Sequence, residues 1–360
     1  FEAGRHTVWW DGYDEGVKHG KDDGFDVHRA RVEPGKYRVR GLRHDGLALK
    51  YRVSVQSPGK PPWLTADRSG AWLADHTPPA AVLYLPDGSP HGSEPQILIS
   101  APTAEAGHSV IWVDMDGCKL WGGKIRGWRS GQMMATDQGE QPLEDYYAYA
   151  VVEDVHLYGL RRGAAEQERD MYDLLVKFEP PHVEKPEDED APKPHWVETL
   201  AQRDMAVRDG VVLISYPSNN RLAVIDLRGG PRQARQLDPI AIENPRGLAY
   251  DRQGRLQVVS GRRVLRFDRP NLAEGRLGPS QVIVREGLED PGRLRIDDAG
   301  RLFVADLGTS HQIKVFTGAG EHLRTIGQPG GPQLGRYDER GMSRPAGMAL
   351  DGRGRLWVAE

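Results

Sequence analysis

NPRGLAYDRQGRLQVVS at residues 244–260, DPGRLRIDDAGRLFVAD at 290–306 and RPAGMALDGRGRLWVAE at 344–360 follow one pattern. In each, proline at the second position leads into a short apolar run that ends in Asp251, Asp297 or Asp351. A turn containing Gly-Arg comes next, then leucine and a second apolar run. The three acids are spaced 46 and 54 residues apart. A period-2 run, a short turn and a second run predict a β-hairpin. A third strand is predicted after each hairpin of this kind: RLAVIDL at 221–227, RVLRFD at 263–268 and QIKVFT at 312–317. A lone meander of three or four strands cannot cover both of its faces. Stacked radially, such sheets bury one another, which is the β-propeller solution. The fold class is therefore all-β, a propeller.

Upstream the unit returns more loosely at ADRSGAWLAD (66–75), at QMMATDQG (132–139) with YAYAVVED (147–154), and at RDMAVRDGVVLIS (203–215). Six blade starts are counted, the last blade cut short, so six blades are expected. The 43 glycines and 26 prolines fall between the apolar runs, as turns require. No apolar run reaches the roughly 18 residues of a membrane-spanning helix. With 48 basic against 52 acidic residues and no basic tract interleaved with aromatics, a nucleic-acid partner is excluded. Cys118 is the single cysteine, which excludes an intrachain disulfide and a cysteine-based zinc site.

YPSNNRLAVID (216–226) and VADLGTSHQIKVFTGAGEHLRTIG (304–327) resemble the NHL repeat of the SMP-30/gluconolactonase-like propellers, and the resemblance covers residues 59–360. Residues 1–58 are similar to the end of the immunoglobulin-like β-sandwich domain of flagellar hook-assembly and bacterial surface proteins. The marks are Trp10-Asp11-Gly12, Asp14, Gly16 and Pro34-Gly35-Lys36-Tyr37. That resemblance implies a partial sandwich and a larger exported bacterial protein (periplasmic, cell-surface or extracellular) with other domains or proteins as partners. Both ends of the chain read as cuts through something longer. The acidic, proline-rich EPPHVEKPEDEDAPKPHW (179–196) is expected to be a mobile insertion.

The topology places residues entering first strands beside those leaving second strands, around one mouth of the channel. The entering group includes Arg203, Arg246, Arg293 and Arg344; the leaving group includes Asp75, His76, Asp154 and Asp306. Alternating arginine and carboxylate suits a polar or anionic small molecule or a carbohydrate. His76 and His311 occupy corresponding turns and could face one another, with Asp306 between them as a metal site. Against this, an aspartate at a strand end ordinarily caps a turn. The lactonase resemblance implies a divalent cation such as calcium held by Glu, Asn and Asp. No early glutamate fits around residues 66–77, and Asn219 and Asn220 belong to a turn. Trp357, aligned with Phe303 and Trp72, reads as packing between blades. Trp128, outside the repeat register and beside Arg129, suits stacking on a sugar ring. No catalytic constellation stands out, so the expected function is a binding or scaffold module. The alternatives are a carbohydrate-active hydrolase or lyase, a metal-dependent lactonase, and a structural part of an extracellular assembly.

Overall fold

The computed structural model describes residues 7, 32–38, 77–105, 107–153, 155–163, 171–179, 203–268, 270–331, 338 and 340–360. The chain divides into two units, residues 1–49 with 334–337, and 50–333 with 338–360. Of the first, the described residues form an exposed bend at Pro34-Gly35, where the Tyr37 hydroxyl donates to the Glu33 carbonyl. The immunoglobulin-like strands expected in residues 1–58 and nearly all of the 179–196 insertion lie outside the described residues.

The second unit is built from antiparallel meanders. Blade 1 holds β1 (Ala81–Leu85), β2 (Gln96–Ser100), β3 (Val110–Val113) and β4 (Lys119–Gly123). Blade 2 holds β5 (Met133–Ala135), β6 (Tyr146–Val152), β7 (His156–Arg161) and β8 (Tyr172–Lys177). Blade 3 holds β9 (Met205–Arg208), β10 (Val211–Tyr216), β11 (Arg221–Asp226) and β12 (Arg235–Ala241). Blade 4 holds β13 (Pro245–Tyr250), β14 (Leu256–Ser260), β15 (Arg263–Phe267) and β16 (Ser280–Val284). Blade 5 holds β17 (Pro291–Ile296), β18 (Leu302–Asp306), β19 (Gln312–Phe316) and β20 (His322–Ile326). A two-stranded sheet follows, β21 (Gly347–Leu350) with β22 (Leu356–Ala359). Among the described residues there are thus five four-stranded blades and one hairpin, and no helix long and apolar enough to cross a membrane.

The hairpin closes the ring. Each first strand touches the next, from β1 through β5, β9, β13 and β17 to β21, and β21 returns to β1. Because both faces of a blade are covered, its middle strands are continuous apolar runs whose alternate residues serve opposite neighbours. In β10, Val212 and Ile214 pack toward blade 2, while Val211 and Leu213 pack toward blade 4. The last interface holds Val82, Ile97 and Ile99 of blade 1 against Ala349, Ala359 and the partly buried Trp357.

Near the axis the packing is backbone against backbone. A Cβ added to Gly247 would lie 2.6 Å from the Gly292 carbonyl oxygen, and one on Gly347 would lie 3.1 Å from that of Ala80. Only glycine lets neighbouring first strands approach this closely.

Blade 1 begins at a stretch that was not singled out from the sequence. Its inner hairpin is AVLYL with QILIS, joined by a ten-residue connection that lacks the Gly-Arg turn. The stretch at 66–75, expected to open the first blade, lies outside the described residues.

The repeated aspartates hold the hairpin turns. Asp351 Oδ1 accepts the backbone N–H groups of Arg353 and Arg355, both at 2.9 Å. Its Oδ2 accepts Arg355 Nε at 2.7 Å and the Trp357 indole N–H at 3.0 Å. Asp251 repeats the arrangement with Gln253, Arg255 and the side chain of Gln257. Asp297 has the same two backbone donors and Arg301, but its partner position is Phe303, whose side chain has no N–H to give.

Candidate functional site

The first strands all run from one face of the ring, the leading face, to the other, where the Asp-Gly-Arg turns lie. At the leading face the channel is closed by Arg293. A register shift between Pro291 and Leu294 releases this part of β17 from regular pairing and lets its side chain leave the blade. The guanidinium reaches across the axis to three blades. Nε donates to the Arg203 carbonyl at 2.9 Å, Nη2 to that of Gln132 at 2.9 Å, and Nη1 to that of Ala80. Arg293 is only 1% exposed, and burial pushes its pKa down to about 10, with nearby Asp204 opposing the shift. It therefore stays charged at neutral pH.

Beneath it lies a second cross-axis pair. Arg295 Nη1 donates to Asp204 Oδ2 at 2.7 Å and Nη2 to Oδ1 at 3.3 Å. The remaining Arg295 bonds go to the carbonyls of Met348 (Nε, 2.9 Å) and Leu294 (Nη1, 2.6 Å). Asp204 is fully buried and also accepts the N–H groups of Met205 and Leu248, so one carboxylate ties blades 3, 4 and 5 together. From this ion pair to the turn face runs a cavity of about 260 Å³. All six first strands line it; Met134, Met205 and Met348 give it soft apolar walls, with Tyr84, Thr136 and Gln138 among its polar groups.

The residues singled out from the sequence fall in several places. Arg203 is buried, its guanidinium 4.2 Å over the Tyr216 ring. Arg246 pairs with Asp290 and donates to the Pro291 carbonyl at 2.8 Å. Asp306, fully buried, accepts the backbone N–H groups of Glu289 at 3.1 Å and Asp290 at 2.8 Å. Arg246 and Asp306 therefore brace the same 289–291 segment from two sides, while Arg293 turns to the axis. His311, at φ +50, accepts the Arg344 N–H on Nδ1 at 2.9 Å. Asp75, His76 and Asp154 lie outside the described residues. Among the described residues no three His, Cys, Asp or Glu side chains converge as a metal site. Asn220, read from the sequence as a turn residue, takes φ +52, and its Oδ1 accepts the Asn244 N–H at 2.7 Å.

Asp204, Arg295 and the cavity were not singled out from the sequence. The signal lies in the register of the repeats. Positions 247, 293 and 347 read Gly, Arg, Gly, and positions 249, 295 and 349 read Ala, Arg, Ala. Blade 5 alone of the three carries charge where its counterparts keep a small residue at the axis.

No family model matches this chain. No curated protein matches it either. Solved structures do. A streptogramin B lyase is 10% identical, with 78% of this chain and 90% of that one covered and a TM-score of 0.45. Virginiamycin B lyase from Staphylococcus aureus is 11% identical, with 79% and 78% covered and a TM-score of 0.43. A protein of unknown function from Desulfotomaculum acetoxidans is 10% identical, with 78% and 74% covered and a TM-score of 0.45. The propeller assignment rests on the closed ring of strands, and no activity is transferred from these proteins.

Proposed function

We propose that the chain is a ligand-binding propeller module that takes a small, uncharged molecule into the axial cavity from the turn face. The observation that carries this reading is the cavity itself, walled by all six first strands, with Arg295, held by Asp204, in its lining. Charge balance selects the ligand class. Arg295 and Asp204 neutralise one another and the charged Arg293 guanidinium is held by three backbone carbonyls, so a further charge brought into this narrow cavity would lose its hydration with no counter-ion in contact with it. Four of the five Arg295 N–H groups have acceptors, which leaves one on Nη2 for a carbonyl or hydroxyl oxygen. The setting we propose is a module of a larger exported bacterial protein. The NHL-like repeat and the immunoglobulin-like motif in residues 1–58 support it.

The test is a fragment screen by ligand-observed NMR on the whole chain. Neutral fragments with one acceptor should bind, and their carboxylate analogues should bind at least about tenfold more weakly. Thr136→Trp, at the cavity wall, should abolish binding while leaving the thermal midpoint unchanged. Equal binding of neutral and anionic members, or binding that survives in the Trp variant, would sink the reading.

A further inference from the structure

On the leading face, away from the cavity, the connection between β4 and β5 folds into a tight hairpin. Arg126 and Arg129 exchange both backbone hydrogen bonds, at 3.0 and 2.8 Å, and Gly127 takes φ +54 at the tip. The hairpin is anchored to the 101–109 loop, where the Ala104 N–H meets the Trp128 carbonyl at 2.8 Å and the Ser130 N–H meets that of Pro102 at 3.0 Å. Trp128 stands at the tip, 62% exposed. Leaving an indole in water is unfavourable, and among the described residues no other exposed large hydrophobic lies on this hairpin or on the residues that anchor it.

The flanking charges are also fixed. Arg126 Nη1 lies 3.2 Å from Glu153 Oε2 and 2.6 Å from His156 Nε2. Arg129 Nη1 donates to Thr103 Oγ1 at 2.6 Å, and its Nε lies 3.8 Å from Glu153 Oε1. Two guanidinium groups share one carboxylate, so these side chains keep one net positive charge while both arginines remain nearly half exposed. The chain as a whole carries a formal net charge of −4, so this basic spot is local.

From this arrangement we infer that the Arg126–Trp128–Arg129 hairpin is a binding site for acidic carbohydrate, the indole face stacking on a uronate ring and an arginine taking its carboxylate. A protein partner fits less well. The other exposed large hydrophobics among the described residues, Tyr37, Leu174 and Leu323, are on other elements, so among these residues Trp128 stands without the contiguous apolar surround that a protein interface core uses. A sugar ring needs one aromatic face with hydrogen-bond donors at its edge. A carboxylate on that ring matches the planar fork of arginine.

The experiment is affinity electrophoresis of the whole chain in gels containing polygalacturonate, with dextran as the neutral control. Retardation is expected in polygalacturonate and not in dextran. Trp128→Ala should weaken it at least about tenfold with an unchanged thermal midpoint, Trp128→Phe should retain part, and Arg129→Gln should weaken it several-fold. Retardation that is the same in Trp128→Ala as in the parent would show bulk charge attraction and overturn the inference. No retardation in polygalacturonate, or equal retardation in dextran, would overturn it as well.

Discussion

Replacing Arg293 with methionine tests whether one side chain holds the ring together at its axis. Methionine preserves the volume and the apolar stem but removes every donor. The carbonyls of Ala80, Gln132 and Arg203 would then lose a charged donor in a site that is 1% exposed. Each orphaned buried carbonyl costs about 1–3 kcal/mol, hence roughly 6 kcal/mol for the three. Against this stands the cost of burying the guanidinium itself. A pKa lowered from 12.5 to about 10 corresponds to roughly 3 kcal/mol, recovered when the charge is removed. The carbonyls win by about 3 kcal/mol. Arg293→Met should be destabilised by that amount in urea unfolding followed by both far-ultraviolet circular dichroism and tryptophan fluorescence. The two probes must coincide for the difference to be a free energy. Arg246→Met is the control. Arg246 lies on the same face but pairs with an Asp290 side chain that is a third exposed, so its loss should cost only about 1 kcal/mol. If Arg293→Met stays within about 1 kcal/mol of the parent, or falls below Arg246→Met in cost, the carbonyls do not depend on this arginine and the reasoning fails.

The hairpin turns and one histidine are open to similar tests. Asp351→Ala should cost about 2–3 kcal/mol and Asp297→Ala about 1 kcal/mol less, because only Asp351 also holds an indole N–H; equal losses in urea titrations would remove that distinction. His91 stacks on Trp121 at 4.1 Å, and burial pushes its pKa down to about 4. A base with a lowered folded pKa favours the neutral form. Its stabilising share is complete above about pH 6.5 and is lost as pH falls toward 4. The side chain is partly exposed, so solvent screening reduces this share to about 1–2 kcal/mol. His91→Phe should therefore lose that much less stability than the parent between pH 7.5 and 4.5, and identical losses would refute the assignment.

The blades were legible where local chemistry repeats. Asp251, Asp297 and Asp351 make their hairpins from bonds within a few residues, so sequence spacing alone reveals them. Third strands such as β11, β15 and β19 were legible for the same reason, being short apolar runs one turn further on. Blade 1 was not. Its hairpin depends on Ser89 and Gln96 joining across a long connection, with no Gly-Arg turn to mark it. The alternation that would have flagged AVLYL is absent because both faces of β1 are buried, and such a strand shows a plain apolar run.

The described residues of the expected mouth part company for a different physical reason. Sequence order assigns a residue to a face of the ring, but not whether its side chain points out to ligand or inward to backbone. Arg246 and Arg293 stand one position apart in the aligned repeat, yet one pairs with a carboxylate at the rim and the other with three carbonyls at the axis. What separates them is the company each position keeps. Gly247 and Gly347 leave room because their neighbours' backbones close in, whereas Arg293 occupies the axis where several blades converge. A large charged residue aligned with glycine in a repeat must find its partners in other blades, since its own sheet offers none at that position. The register of the repeats is enough to draw that conclusion. Applied to Arg295 against Ala249 and Ala349, it also points to a buried carboxylate elsewhere in the ring, the role Asp204 fills at the closed end of the cavity.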